Sequence, residues 1–482
     1  MSDKLRVLHV SSECYPLVKT GGLADVTGAL PLALATVGVD ARVLLPAYRG
    51  VVAQVPEIRV VAKIAALFGG SARLLSGTTE QGLRVFLLDA PHLFDRPGGP
   101  YMDEQGHDHP DNDLRFAALS YVGAQISLGN IGRWRPTVLH AHDWQTGLAA
   151  AYLHFEGAQI PTLMTVHNLA FQGVFPGSRL AMLGLPPTSF TVDGLEYHGQ
   201  ISLLKAGLVY SSAITTVSPT YAQEIMTPEF GAGLDGLLLS RSSAVTGILN
   251  GLDQAVWDPA ADQRIVAGYS PDDLSGKRSN KAALQAELGL AVDPALPLFG
   301  VVSRLSHQKG FDVLIEALPK LLAVAQLAVL GTGDPQIEQA LAAAALEYPG
   351  QVGVRIGFNE DLAHRIQAAA DVLLVPSRFE PCGLTQLSAL RYGALPLVSR
   401  VGGLADTVID ANTAALFDGV ATGFVFAPVT AQALSLALDR VFAVWAQPEL
   451  WRSLVHRAMT RDVSWTQPAR AYVALYKDLL SR

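Results

Sequence analysis

Short, unbroken apolar runs alternate along this chain with amphipathic helical stretches, and they do so in two separate series. Residues 5–10, 41–47, 83–89, 137–142, 161–167 and 213–218 form the first, and residues 298–303, 326–331, 351–358, 371–376 and 395–399 the second. Helical patterns intervene, at 312–322, 336–347 and 362–370 among others. A strand that is apolar along its whole length must be covered on both faces, and helices between consecutive strands imply parallel pairing. The pattern predicts an α/β protein of two Rossmann-like, doubly wound domains, and 482 residues are long for one domain. The boundary is expected near Asn250-Gly251-Leu252-Asp253, after the strand-like 245–249 and before a polar, turn-rich tract at 258–281. The domains are therefore drawn as 1–248 and 249–458, with a terminal helix in 459–482.

Composition narrows the partners. Half the residues are hydrophobic and only 16% are charged, so large cores are available and disorder is disfavoured. A net charge of −8 without a basic stripe argues against nucleic acid. No stretch approaches a membrane span, so no membrane association is expected. Two cysteines, Cys14 and Cys382, are too few for a disulfide framework and suit a reducing cytoplasm. Met1-Ser2-Asp3-Lys4 lacks the apolar region of a signal peptide. The expected location is cytoplasmic.

Parallel α/β sheets bind ligands at the carboxyl ends of their strands, and there the chemistry-bearing residues collect. Ser377-Arg378-Phe379-Glu380-Pro381-Cys382-Gly383-Leu384-Thr385 joins an apolar run to a helix-like stretch. Glu380 could accept sugar hydroxyls, while the free N–H groups at Gly383, Leu384 and Thr385 could meet a phosphate. Arg304 and Lys309, in Ser303-Arg304-Leu305-Ser306-His307-Gln308-Lys309-Gly310, could clamp a diphosphate, against the alternative of two solvated surface cations. Lys19-Thr20-Gly21-Gly22-Leu23-Ala24-Asp25 follows the first strand, and Gly-Gly-Leu-Ala-Asp recurs at Gly402 to Asp406. Each copy is either a loop that lets the backbone approach a ligand or an ordinary turn.

Three histidines, His140, His142 and His167, stand at adjacent strand ends with Asp143 and Asn168, which suggests polar lining of a cleft. Neither the paired-His helical pattern nor a cysteine pair supports zinc there, and no metal site is expected. Asp111-Asn112-Asp113 lies in a Gly-rich loop, so Asp111 or Asp113 is expected to cap the next helix. Cys382 lacks an adjacent base, and a packing or ligand-wall role is expected. No P-loop and no dinucleotide fingerprint is present.

Together these segments resemble the bacterial glycogen synthases and plant starch synthases. The likeness spans nearly the whole chain, through Lys19 to Val26, His140 to Trp144, Val166 to Gly173, Asn250 to Asp253, Arg304 to Gly310, Ser377 to Gln386 and Gly402 to Val408. It implies a GT-B fold with an interdomain active-site cleft, and a retaining, metal-independent glucosyltransferase. The donor would be ADP-glucose and the acceptor the non-reducing end of glycogen or another α-1,4-glucan, with no further cofactor. The first domain would take the acceptor side, the second the nucleotide sugar, and the terminal helix would return to the first. Arg304 and Lys309 would hold the diphosphate, Glu380 the glucosyl hydroxyls, and the backbone of Cys382 to Thr385 sugar and phosphate. His167 would lie against the glucosyl ring. Lys19, Gly21, Gly22 and Asp25 would line the cleft, with Tyr101, Asp143, Asn168 and Asn250 as further contacts and Phe358 beside the adenine. Phe358 stands where many members carry Tyr, His307 replaces Trp or a small residue, and Met102 follows Tyr101 where some have His. Relatives with two glutamates eight positions apart would need Glu at 388, where this chain has Ser388. A UDP-glucose enzyme and an inactive glucan-binding protein are the competing functions; intact Lys19, His167, Arg304, Lys309 and Glu380 argue against the second.

Overall fold

The computed structural model describes residues 5–482 and divides into two compact units, one running to Gly251 and resuming at Trp465–Arg482, the other Leu252–Ser464. Met1-Ser2-Asp3-Lys4, where no signal peptide is expected, lie outside the described residues. Among the described residues no helix is long and apolar enough to cross a membrane.

The first unit is built on a nine-stranded sheet. Its strands are β1 (Arg6–Val10), β2 (Asp40–Pro46), β3 (Arg59–Leu67), β4 (Gly70–Thr78), β5 (Arg84–Asp89), β6 (Val138–His142), β7 (Thr162–Val166), β11 (Ala213–Thr216) and β12 (Val245–Gly247). A small antiparallel sheet of β8 (Val174–Pro176), β9 (Glu196–Tyr197) and β10 (Gln200–Ser202) lies between β7 and β11 in the chain. The spatial order is β12-β11-β7-β6-β1-β2-β5-β4-β3, parallel from β12 to β5. The β3–β4 hairpin, antiparallel to itself and to β5, is not among the expected strands. Most of β3 is solvent-exposed, so no continuous apolar run marks it.

Register explains a polar stripe through this sheet. His9 pairs with His140, and His142 with Thr165, so these side chains share one face. The C-terminal helix Thr466–Ser481 covers the unit's core: Ala469, Tyr472, Tyr476 and Leu479 pack with Val7, Leu30, Val138 and Leu163. Its Tyr476 hydroxyl lies 2.7 Å from His140 Nδ1.

The second unit holds six parallel strands, β13 (Leu298–Val302), β14 (Gln326–Gly331), β15 (Val352–Ile356), β16 (Val372–Val375), β17 (Leu395–Ser399) and β18 (Phe424–Phe426). Their order is β15-β14-β13-β16-β17-β18. The chain winds outward from β13, returns beside it at β16, and winds outward the other way, so the chain leaves the two neighbouring strands in opposite directions. In the first unit the same reversal falls at β1 and β6. The intervening helices follow their sequence signals. Asn359 accepts from Leu362 N at 2.9 Å to cap Glu360–Ala369, and Asp334 accepts from Gln336 N at 2.8 Å ahead of Pro335.

One expected cap is corrected. Asp111 occupies the cap position of the helix Asn112–Leu128 without capping it, because its carboxylate takes the Arg96 guanidinium at 2.7 and 3.0 Å. Asp113 is likewise engaged, by Arg179. A bidentate guanidinium outbids a single backbone N–H.

Candidate functional site

In the second unit, the two loops at the β13–β16 reversal are pinned together. Gly310 has φ +70°, and a Cβ there would stand 2.0 Å from the Pro376 carbonyl oxygen, so only glycine permits the contact. Arg378 N donates to Gln308 O at 2.8 Å, and Gln308 Nε2 to Phe379 O at 3.2 Å. The result brings Lys309 Nζ to 2.5 Å from Glu380 Oε2, and Ser377 Oγ donates to the same oxygen at 3.1 Å. Glu380 is buried, and the ammonium and the Ser377 hydroxyl together compensate its carboxylate there. A sugar hydroxyl can approach the carboxylate and a phosphate the ammonium. Arg304, on the same loop, is exposed, and among the described residues no carboxylate pairs with its guanidinium.

Past Glu380 the chain turns through Gly383, at φ +71°, into the helix Thr385–Tyr392. Gln386 Nε2 donates to Cys382 O at 2.8 Å and Gly383 O at 3.0 Å, drawing the loop carbonyls to itself. Leu384 at the cap position offers no side-chain acceptor, so the first helical N–H groups remain available to an anion. Cys382 is buried in the loop wall. Phe358 projects from the end of β15 and is 82% exposed, a bare aromatic face.

The second Gly-Gly-Leu-Ala-Asp copy packs against the chain itself. A Cβ on Gly402 would lie 2.1 Å from the Glu380 carbonyl oxygen, and one on Gly403 2.3 Å from that of Cys382. The close approach these glycines permit is to the chain's own Glu380 loop. Gly403 N donates to Glu380 O at 3.1 Å, so this copy supports the loop from behind.

In the first unit, the loop after β1 is organised by a residue the sequence did not single out. Glu13, 3% exposed, accepts from Thr20 N and, at 3.1 Å, from Gly21 N, and also from the Thr20 and Tyr101 hydroxyls, each at 2.5 Å. Its only signal was an acidic residue three positions past the end of an apolar strand. Burial with Glu13 alongside holds the Tyr101 phenol well above its ordinary pKa, and the hydroxyl also meets Ser12 Oγ at 2.8 Å. Tyr101 therefore braces the loop. Lys19 Nζ and Asp25 Oδ1 form an ion pair at 2.7 Å. Gly21 immediately precedes the helix Gly22–Thr36, and a Cβ added there would meet nothing within 4 Å, so no neighbour in the chain demands glycine.

Asp143 follows β6 at φ +57° and accepts from His167 N at 2.7 Å, clamping the turn after β7. Burial raises its carboxyl pKa to about 7, although the N–H bonds from His167 and Asn168 oppose the shift. Asn168 Oδ1 accepts from Ala170 N at 3.1 Å and shapes the same turn. Asn250, 8% exposed, keeps an Oδ1 with no partner among the described residues. A buried acceptor left open in this way suits a ligand N–H or O–H.

His167 is half-buried, and burial lowers its pKa to about 3. His140 and His142 are fully buried, which corrects their expected place in a cleft lining. They stand behind His167, with His142 Nδ1 3.0 Å from His167 Nε2. Period-two spacing put them on one face; only the covering C-terminal helix shows that face to be interior.

The chain is similar to proteins of known activity along nearly its whole length. Residues 6–240 match the family model described as the starch synthase catalytic domain, and residues 289–453 that of glycosyl transferases group 1. A glycogen synthase of Rhodopseudomonas palustris (strain BisB18) is 56% identical over 476 residues, covering 98% of this chain and 97% of that protein. A glycogen synthase of Acidiphilium cryptum (strain JF-5) is 56% identical over 480 residues, covering 99% and 100%. Among solved structures, the catalytic domain of starch synthase IV from Arabidopsis thaliana, bound to ADP and acarbose, superposes with a TM-score of 0.90 at 32% identity over 100% of both chains. A sucrose-phosphate synthase from Thermosynechococcus elongatus, at 19% identity and TM-score 0.61 over 99% of this chain and 100% of its own, shares the fold alone.

Proposed function

The chain belongs to the family of bacterial glycogen synthases and plant starch synthases, and from that premise we propose the reaction and the residues that carry it. It is a retaining glucosyltransferase of GT-B fold that moves glucose from ADP-glucose to the non-reducing end of an α-1,4-glucan. The observation that carries the residue-level reading is the Lys309–Glu380 pair at the strand reversal of the second unit, at 2.5 Å.

In this reading the second unit, as the nucleotide-sugar side, binds the donor. Glu380 takes glucosyl hydroxyls, and the N–H groups from Gly383 to Thr385 take the phosphate. Arg304 and Lys309 neutralise the diphosphate as the C1–O bond breaks, work that a metal would otherwise do. No cofactor beyond the nucleotide sugar enters. Phe358 stacks on the base and recognises its face rather than its edge. On the first, acceptor-side unit, His167 contacts the glucosyl group, and Lys19, Gly21, Gly22, Asp25 and Asn250 border the sugars. The acceptor hydroxyl attacks C1 from the face the phosphate leaves, and its proton passes to the departing phosphate oxygen. Such a site needs cations on the leaving group and no strong general base, which matches the residues present.

The test is nucleoside-diphosphate release from ADP-glucose and UDP-glucose in parallel, with and without glycogen, in EDTA. Glycogen-dependent ADP release that EDTA leaves unchanged is expected. Preference for UDP-glucose would overturn the donor assignment, and loss of activity in EDTA the metal-independent reading. Release from neither donor, with glycogen still bound, would turn the assignment to a glucan-binding protein.

A further inference from the structure

Three imidazoles in series connect the middle of the first unit's sheet to the turn that carries His167. His9 Nδ1 lies 3.1 Å from His142 Nε2, and His142 Nδ1 lies 3.0 Å from His167 Nε2. His140 stacks on His142 at 4.1 Å, but its own nitrogens are engaged by the Tyr476 and Thr165 hydroxyls at 2.7 and 2.6 Å. Ligating atoms of His9, His140 and His142 fall within 4.8 Å of one another, the spacing of a metal site. Every nitrogen of His140 and His142 is already hydrogen-bonded within the protein, which leaves His9 Nε2 alone to offer. The rings are better explained as a directed chain.

A neutral imidazole carries one N–H and one lone pair, so two consecutive N···N bonds must run in the same direction. Run inward, the chain ends in an N–H on His9 Nε2, which is buried with no acceptor. Run outward, that atom holds only a lone pair, and the terminal N–H falls on His167 Nδ1, which has no hydrogen-bond partner among the described residues. A buried N–H without an acceptor is the rarer defect, so the outward direction wins. We propose that His9 and His142 are positioning residues that fix His167 as its neutral Nδ1–H tautomer, aimed as a donor at an oxygen of the glucosyl group being transferred. The inference rests on the reading of His167 as a sugar contact.

The arrangement has a chemical use. Glucosyl transfer builds positive charge on the sugar ring, and an imidazolium alongside would oppose it. With His142 donating to Nε2, His167 has no lone pair left to protonate unless that bond breaks. Burial acts in the same sense, holding the pKa of His9 and His167 near 3 and that of His142 well below its ordinary value. Asp143 holds the His167 backbone, so chain and ring are oriented by separate contacts.

The test begins with nitrogen NMR of the full chain carrying labelled histidine rings, without substrate and at neutral pH. A protonated Nδ1 and a bare Nε2 on His167 are expected; a protonated Nε2, or an imidazolium, would overturn the proposal. Two substitutions then probe the link to transfer. His142→Leu removes the donor, and kcat is expected to fall about tenfold or more with little change in the donor KM. His142→Asn keeps an N–H where Nδ1 stands and is expected to restore both the tautomer and most of kcat. Equal losses in the two variants would assign His142 a packing role only and overturn the proposal. If His142→Leu does not fold, His9→Asn against His9→Leu repeats the comparison one ring further in. A wild-type enzyme inactive on both nucleotide sugars would sink the functional reading while leaving the tautomer measurement to stand or fall separately.

Discussion

Asp143 and Lys309 are both buried or half-buried ions, and they differ in what offsets them. Asp143 has backbone N–H groups and, among the described residues, no cation beside it, and burial pushes its carboxyl pKa up to about 7. A carboxyl raised in the folded state favours folding while it is protonated. That contribution is whole below the unfolded value near 4 and is lost as pH climbs through about 7. Asp143→Asn keeps a carbonyl acceptor and does not ionise. Its melting temperature should therefore gain on wild type between pH ~4 and ~7, by the equivalent of up to about 4 kcal/mol, and the gain should stay constant above. Parallel melting curves across that range would show it, and a pH-independent difference would refute the assignment. Lys309 faces a carboxylate instead, and its proposed partner in the reaction is the leaving diphosphate. Lys309→Ala should lower kcat about 100- to 1,000-fold, while Asp143→Asn costs far less. Comparable losses in steady-state assays would contradict front-face departure assisted by cations. Lys309 and Glu380 were legible as candidates because a cation and a carboxylate at strand ends are rare and visible. Glu13 was not, because nothing local reveals that one carboxylate will gather N–H and O–H groups from residues 20, 21 and 101.

At the scale of elements, the two Gly-Gly-Leu-Ala-Asp loops show how one pentapeptide serves two purposes. Gly403 is enclosed by the Cys382 backbone, and Gly21 faces open space. Gly403→Ala is expected to cost about 1–3 kcal/mol or more in unfolding free energy, since backbone cannot yield as a side chain can. Gly21→Ala should leave the denaturation midpoint nearly unchanged and lower activity by crowding a ligand. Urea unfolding alongside initial rates separates the two, and a stability loss at Gly21 would remove the reason to read it as a ligand approach. The identical sequences could not tell these cases apart, because what lies opposite each glycine is set by strand order. The parallel strands themselves were readable within a residue or two, since burial on both faces leaves continuous Val, Leu and Ile runs. The hairpin β3–β4 and β18 were not, β3 being largely solvated and β18 only three residues long.

At the scale of the molecule, the first unit is closed by the last residues of the chain. The amphipathic pattern of the C-terminal helix predicts a helix but not its partner, and packing against Val7, Leu30 and Val138 supplies the answer. Tyr476→Phe would strand His140 Nδ1 in the core and should cost about 1–3 kcal/mol, measurable by chemical unfolding. An unchanged midpoint would mean that the hydroxyl contributes nothing there. This discontinuity also sets an order of events during synthesis. The ribosome completes every strand of the nine-stranded sheet, then all of Leu252–Ser464, before the helix that seals the first core is made. At ~5–20 residues per second, that unsealed half waits about 10–40 seconds with its inner face uncovered. A nascent chain of this design is thus open to capture by chaperones or proteases for somewhat under half of its synthesis, and a variant lacking the helix Thr466–Ser481 would stay so for good.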